Sequence, residues 1–215
     1  MTGVLLVDDH PLFRTALSTA VRRVRPDARI VEAPTLADAA ARLRDDPGIS
    51  LVLLDLRMPD CEGFTSLLTL RAEHPAVPVV VVSASEDGET VRRALSFGAS
   101  GFIPKSASLE TMSEALETVL AGEVWAPPVC TPDNDDGTSE RDGASERIAS
   151  LTPAQLRILV GLRRGRLNKQ IAYEMGVSEA TVKAHMTAIF RKLGVLNRTQ
   201  AVIAAEALLL DSDAA

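Results

Sequence analysis

The sequence is poor in aromatic residues and cysteine, and it has no long apolar run. Aromatics make up 3% of its 215 residues, and the two cysteines are Cys61 and Cys130. Two thiols provide neither a disulfide framework nor a four-ligand zinc site. The longest apolar stretch, around Pro78–Val82, is far shorter than the roughly 20 residues that span a bilayer. Asp8 and Asp9 would interrupt a signal peptide, so we expect a cytoplasmic protein with no membrane partner.

Charge is distributed unevenly along the chain. Residues 1–130 hold 12 basic and 18 acidic residues, residues 131–150 hold 2 and 6, and residues 151–215 hold 9 and 5. The corresponding net charges are −6, −4 and +4. A basic segment on an acidic chain predicts a polyanionic partner for that segment alone. The polar stretch before it predicts an extended linker. We therefore predict domains at 1–124 and 150–215, joined by a flexible acidic linker over 125–149.

Apolar runs alternate with helical patterns through the first domain. The predicted strands are Val4–Val7, Ala28–Ala33, Ile49–Leu54, Val77–Val82 and Gly101–Ile103. The predicted helices are 11–24, 35–44, 64–74, 86–97 and 109–120, with Thr35 and Ser108 as N-caps and Gly98 and Gly122 as carboxyl-terminal stops. Continuous β-branched runs are typical of parallel strands buried on both faces. The pattern therefore predicts a doubly wound α/β domain with a five-stranded parallel sheet.

Polar residues stand where these strands end. They are Asp8, Asp9, Asp55, Ser83 and Lys105. The carboxyl ends of parallel strands form the usual functional edge of such a sheet, and converging carboxylates favour Mg²⁺. A lysine and a hydroxyl beside the ion could hold a phosphoryl group, which makes Asp55 a candidate nucleophile.

The strings VDDHPLFR, LLDLRMPDCEG, VVSAS and GASGFIPK resemble the receiver domain of bacterial two-component response regulators over about residues 3–122. The resemblance implies that Asp55 accepts a phosphoryl group from a histidine kinase. It also implies that Asp9, Asp55 and the backbone carbonyl of Arg57 bind Mg²⁺, with Asp8 assisting through water. Lys105 and Ser83 would contact the phosphoryl group. On activation, Ser83 would move and Phe102 would turn inward. Two features depart from the family: Pro104 precedes Lys105 where many receivers have proline after it, and the switch aromatic is Phe102, without a hydroxyl.

The second domain has an all-helical pattern with sharp interruptions. Thr152-Pro153 predicts one helix start, and Asn168 is the predicted cap of a short helix that Gly176 ends. Ser178 then caps a third helix, and the two helices on either side of this turn match a helix-turn-helix. In the third helix, a stripe predicted to be core consists of Val182, Met186, Ile189, Phe190 and Leu193. The opposite face is small, polar and cationic, as a helix in the major groove requires.

The string NKQIAYEMGVSEATVKAHMTAIFRKLGVLNRTQAV resembles the DNA-binding module of LuxR-type regulators over about residues 150–208. The resemblance implies DNA contacts by Asn168, Lys169, Ser178, Thr181, Lys183, Ala184, His185, Thr187 and Arg191. Leu167 departs from the usual Ser or Thr, and Gln155 and Gln170 replace common glutamates. The apolar residues Val202, Ile203 and Leu208–Leu210 of the last helix exceed what a small module can bury, which predicts a dimer contact.

The order of the two resemblances is similar to that in the NarL/FixJ subfamily. It implies a phosphorylation-controlled transcriptional regulator that binds double-stranded DNA as a homodimer and is not an enzyme. The alternatives are a DNA-binding regulator with a non-switching receiver and a small phosphatase or hydrolase with Asp55 as nucleophile. The second alternative lacks a further acid two residues beyond Asp55.

Overall fold

The computed structural model describes residues 2–59, 63–128, 143 and 146–206. The chain divides into two compact units, Met1–Asn134 and Asp135–Ala215. Within the described residues, no helix combines the length and the apolar character needed to cross a membrane.

The first unit is built on a parallel sheet of five strands. They are β1 (Gly3–Val7), β2 (Arg29–Ala33), β3 (Ile49–Asp55), β4 (Val79–Ser83) and β5 (Gly101–Pro104). Their order in the sheet is β2-β1-β3-β4-β5, and every neighbouring pair is parallel. The predicted five-stranded parallel sheet is therefore confirmed, with Asp55 and Ser83 as the last residues of their strands rather than the first residues after them.

Five helices alternate with the strands. They are α1 (Pro11–Val24), α2 (Leu36–Asp45), α3 (Phe64–Glu73), α4 (Gly88–Ser96) and α5 (Leu109–Leu120). The predicted caps are confirmed, since the hydroxyls of Thr35 and Ser108 accept hydrogen bonds from the backbone N–H groups of Asp38 and Thr111. Helix α4 begins later than predicted because Asp87 caps it, accepting from the N–H of Thr90 at 2.7 Å.

Both faces of the sheet are covered. Helices α1 and α5 pack against each other and bury alternate residues of the central strands, including Leu6, Leu53 and Val82. The intervening residues, such as Leu5, Leu54 and Val81, are equally inaccessible. Burial on both sides explains why the central strands read as nearly continuous apolar runs, with Asp55 and Ser83 at the last positions of β3 and β4.

The predicted linker differs from the structure at both ends. Trp125 forms a bridge to Gly101, donates its N–H to the Ser100 carbonyl and accepts from the N–H of Phe102. Residues 146–149 are helical, and Ile148 is fully buried. These apolar side chains attach the ends of residues 125–149 to the compact units, while most of the polar interior of the linker lies outside the described residues.

In the described part of the second unit, four helices follow the helical residues 146–149. They are α6 (Pro153–Arg163), α7 (Asn168–Met175), α8 (Glu179–Leu193) and α9 (Arg198–Ala205). Thr152 and Ser178 cap α6 and α8 as predicted, and Gly176 ends α7 in a left-handed conformation with φ of 66°. Asn168 is not the cap of α7 but its first residue, because Leu167 occupies the cap position.

Helix α8 presents the predicted faces. Val182, Ile189 and Leu193 are buried, while Met186 and Phe190 are partly buried. Helix α9 leaves Ile203 59% exposed, consistent with the apolar surplus in the sequence. Leu208–Leu210, the remainder of the predicted dimer contact, lie outside the described residues.

Candidate functional sites

A buried acidic pocket lies at the carboxyl edge of the sheet. Asp8 and Asp55 are almost inaccessible, at 0% and 1% exposure. Lys105 Nζ lies 2.7 Å from Oδ2 of each of these aspartates. One ammonium thus bridges two carboxylates that come from strands far apart in sequence, as the strand-end positions predicted.

Backbone N–H groups fix the orientation of both carboxylates. Asp55 Oδ1 accepts from the N–H of Arg57 at 2.8 Å, and Asp8 Oδ1 accepts from the N–H of His10 at 2.7 Å. In each case the chain turns immediately after a strand and directs an amide back at the side chain. The pocket is therefore held by main-chain geometry as well as by ion pairs.

Lys105 remains a cation in this pocket. Burial opposes its charge, but hydrogen bonds from Nζ to Asp55 and Asp8 outweigh that effect and raise the pKa of Lys105 above its ordinary value. Its ammonium also lies 4.7 Å from the centre of the Phe13 ring. Its single positive charge compensates one unit of the negative charge on these two carboxylates, and the same ammonium can contact an incoming phosphoryl oxygen.

Ser83 is the last residue of β4, and Phe102 is the second residue of the neighbouring strand β5. Ser83 is fully buried, its carbonyl accepts from the N–H of Lys105 at 2.7 Å, and its Oγ accepts from the N–H of Ser85 at 3.2 Å. Phe102 is also fully buried. The resemblance implied that Phe102 turns inward on activation, whereas in this structure the ring is already inside, as expected for an aromatic side chain without a hydroxyl.

His10 also lies in this acidic pocket, although it was not among the predicted site residues. One donor atom from each of Asp8, Asp9, His10 and Asp55 lies within 4.8 Å of the others. His10 Nδ1 is 2.8 Å from Asp9 Oδ1. The position of His10 directly after Asp8 and Asp9 is the sequence signal that points to it. The oxygen-rich donor set fits a hard divalent cation such as Mg²⁺.

Access to Asp55 is through a cleft of about 470 Å³. Its walls include Leu12, Phe13 and Ala16 of α1 together with Arg57 and Lys105. Leu12 is 88% exposed at the rim. The buried carboxylate therefore faces a space large enough for a phosphodonor side chain or a small acyl phosphate.

The predicted DNA-facing residues of α8 lie on one open surface. Lys183, Ala184, Thr187 and Arg191 are exposed, whereas His185 is partly buried. Thr187 Oγ1 donates to the Lys183 carbonyl at 3.2 Å, which leaves that hydroxyl able to accept but not donate elsewhere. Cations and small side chains thus dominate this face.

The other predicted DNA contacts surround the two helix starts. Ser178 Oγ accepts from the N–H of Thr181, so both residues already serve the cap of α8. Lys169 is exposed in the first turn of α7. Asn168 Oδ1 accepts from Arg198 Nη1 at 3.3 Å. The resemblance implied DNA contacts by Asn168 and Lys169, but no sequence signal pointed to the Arg198 guanidinium that contacts Asn168.

Comparisons with known proteins agree with both halves of this description. Residues 4–117 match the response regulator receiver domain family, and residues 149–205 match the luxR family of bacterial regulatory proteins. The glycerol metabolism activator of Pseudomonas putida is 41% identical over 210 residues, covering 95% of each chain. The nitrate/nitrite response regulator protein NarL of Escherichia coli K12 is 32% identical over 206 residues, covering 93% of each.

Solved structures give the same architecture. A LuxR family DNA-binding response regulator from Silicibacter pomeroyi is 33% identical with a TM-score of 0.53, covering 61% of this chain and 100% of its own. The RcsB response regulator of Salmonella typhimurium, at 18% identity and a TM-score of 0.55, covers 94% of this chain and 96% of its own and shares the fold. The chain belongs to the response regulators that join a receiver domain to a LuxR-type DNA-binding domain, a family of DNA-binding transcription regulators.

Proposed function

We propose that phosphorylation of Asp55 controls DNA binding by this regulator, with a histidine kinase as the phosphodonor. The observation that carries the proposal is the environment of Asp55. Its carboxylate is buried, one oxygen is held by the Arg57 N–H, and the other contacts the only lysine of the first 134 residues. A nucleophile held between fixed donors beside an open cleft is arranged for group transfer.

In the proposed reaction, an Asp55 oxygen forms a bond to phosphorus while the bond from phosphorus to the histidine nitrogen of the kinase breaks. Lys105 exchanges its contact with Asp55 for a phosphoryl oxygen, and Ser83 would donate its hydroxyl to another. Asp9, Asp55 and the Arg57 carbonyl, with Asp8 through water, would hold Mg²⁺. When bound, that ion supplies positive charge that lets an anionic phosphoryl group approach carboxylates.

For the second unit, we propose that α8 enters the major groove. Lys183, Ala184 and Thr187 would face base edges, while Lys169 and Arg191 would contact the backbone. The exposed apolar side chains of α9 would pair two copies on half-sites about one helical turn apart. A regulator that binds DNA would act in the bacterial cytoplasm.

One observation favours a second candidate, a regulator whose receiver does not switch. Phe102 is already buried, so its inward movement is not available as a response to phosphorylation. Labelling with acetyl phosphate and Mg²⁺, followed by DNA-affinity measurements, separates the two. Labelling at Asp55 with tighter DNA binding supports the switch, labelling without a change in DNA binding supports the second candidate, and slow multiple-turnover hydrolysis of small phosphate esters would indicate an enzyme.

A further inference from the structure

Arg198, the first residue of α9, reaches back to the start of α7. Its Nη2 donates to the Arg166 carbonyl at 2.5 Å, and its Nη1 donates to Asn168 Oδ1 at 3.3 Å. Both residues of the side-chain pair are partly buried. A planar guanidinium with two acceptors is held in one orientation, so it can in turn fix the group that it contacts.

The contact with Arg198 determines which end of the Asn168 amide points outward. A guanidinium has donors only, so the amide oxygen must face Arg198. The NH₂ group of Asn168 is therefore directed away from Arg198. Two N–H donors on a partly buried side chain next to the exposed Lys169 suit a DNA phosphate, whereas an amide oxygen in their place would repel one.

Among the described residues, the polar side chains of Arg166 and Gln170 near the start of α7 have partners other than Asn168. Leu167 at the cap position has no polar side chain, and Gln170 Oε1 accepts from the Leu167 N–H at 2.8 Å rather than contacting Asn168. Arg166 is itself engaged with Glu174. Arg198 thus supplies the contact that sets the amide orientation.

We propose that Arg198 is a positioning residue, which fixes the Asn168 amide so that its NH₂ group donates to a phosphate of the DNA backbone. This inference rests on the proposed DNA-binding role of α7 and α8. It separates two tasks in the module: Lys169 provides charge, and the Arg198–Asn168 pair provides a directed neutral donor.

The test is a double-mutant cycle on the full chain after treatment with acetyl phosphate and Mg²⁺. The probe is a random-sequence duplex of about three helical turns. Its binding is measured by fluorescence anisotropy at several salt concentrations. The variants are Asn168→Ala, Arg198→Gln and the double variant. Arg157→Gln, which removes an equal charge from an exposed position on α6, is the matched control.

We expect Asn168→Ala and Arg198→Gln each to weaken duplex binding about ten-fold, as for loss of a hydrogen bond to a charged group. The double variant should be no weaker than either single variant, and Arg157→Gln should have a smaller effect. The salt slope, which is the slope of log affinity against log salt concentration, should be the same for Arg198→Gln and Arg157→Gln. Additive losses would contradict the proposal, and so would a slope reduced by about one, which indicates a phosphate contact by Arg198 itself.

A second variant keeps the test decisive if Arg198→Gln unfolds the module. Asn168→Asp preserves an acceptor for Arg198 but places a carboxylate at the phosphate. Its thermal midpoint should equal or exceed that of the wild type, while its duplex affinity should fall below that of Asn168→Ala. Wild-type affinity in Asn168→Asp would overturn the positioning role. A wild-type chain that fails to bind the duplex would instead overturn the proposed DNA-binding function.

Discussion

The two units present their candidate sites in opposite ways. In the receiver, Asp8, Asp55 and Ser83 are buried and have fixed hydrogen-bond partners. In the DNA-binding unit, Lys183 and Arg191 are exposed on the surface of a helix. A site that reacts with a small group can be buried within one chain, and burial strengthens the electrostatic interactions among its residues. A site for a polyanion must stay open, and its geometry is completed by the partner.

The largest expected effect is the loss of phosphorylation when Asp55 of the receiver is replaced. Asp55→Asn should abolish labelling by acetyl phosphate, because it removes the nucleophilic oxygen held opposite Lys105. Intact-mass spectrometry with and without chelator measures the result, and Asp38→Asn, an exposed position on α2, is the control. Full labelling in Asp55→Asn, or labelling in excess chelator, would contradict the assignment.

The second prediction is that the two units unfold independently of each other. Leu6→Ala removes a fully buried side chain from β1 and should lower the unfolding free energy of the receiver by about 2–5 kcal/mol. The single tryptophan, Trp125, belongs to the first unit and reports that transition by fluorescence, while circular dichroism follows both.

The transition of the second unit should be unchanged in Leu6→Ala. Leu12→Ala, at a position 88% exposed, should leave both transitions near their wild-type midpoints. Equal shifts of the two transitions in Leu6→Ala would show that the units unfold as one.

The third prediction concerns the open site. Lys183→Ala should weaken operator binding by about 1–3 kcal/mol and relax preference at one position per half-site if the side chain contacts a base. Lys169→Ala should weaken binding to all sequences alike and reduce the salt slope by about one. Operator and random-duplex affinities at several salt concentrations measure both. No change in affinity or slope for Lys183→Ala would show that α8 does not enter the groove in this orientation.

The smallest effect concerns alkaline pH. The raised pKa of Lys105 means that its ion pairs stabilise the fold fully below the unfolded-state pKa of about 10.4, and that this stability is lost as pH rises through the folded-state pKa. Urea unfolding of wild type and Lys105→Met should differ by a constant amount across neutral pH. The difference should shrink, by about 1 kcal/mol or less, only in the alkaline range. A difference that disappears between pH 6 and 8 (roughly the range of histidine titration) would assign it to another group.

Sequence reasoning predicted buried features better than exposed ones. The parallel sheet followed from runs such as Val79–Val82, because a strand covered on both faces leaves a continuous apolar pattern. The convergence of Asp8, Asp55 and Lys105 followed from their strand-end positions. The positions of helix starts were less accurate where two polar residues competed, as at Asp87 of α4.

The features that sequence missed depend on contacts between distant residues. Trp125 stands at the edge of a polar segment, and its pairing with Gly101 and its backbone hydrogen bonds to Ser100 and Phe102 assign it to the receiver. His10 is adjacent to Asp9 in sequence, but the cluster that it joins also includes Asp55, which is 45 residues away. Arg198 meets Asn168 across a separation of 30 residues. No local periodicity encodes such pairs.

Phosphorylation of Asp55 in the buried receiver site is expected to change DNA binding by the exposed face of α8. The most direct measurement is the operator affinity of the full chain before and after treatment with acetyl phosphate and Mg²⁺, with Asp55→Asn treated in parallel. We predict that treatment tightens binding by about 1–3 kcal/mol, the usual size of such coupling, and that Asp55→Asn does not respond. Equal affinities for treated and untreated wild type, with Asp55 shown by mass to be phosphorylated, would contradict the account.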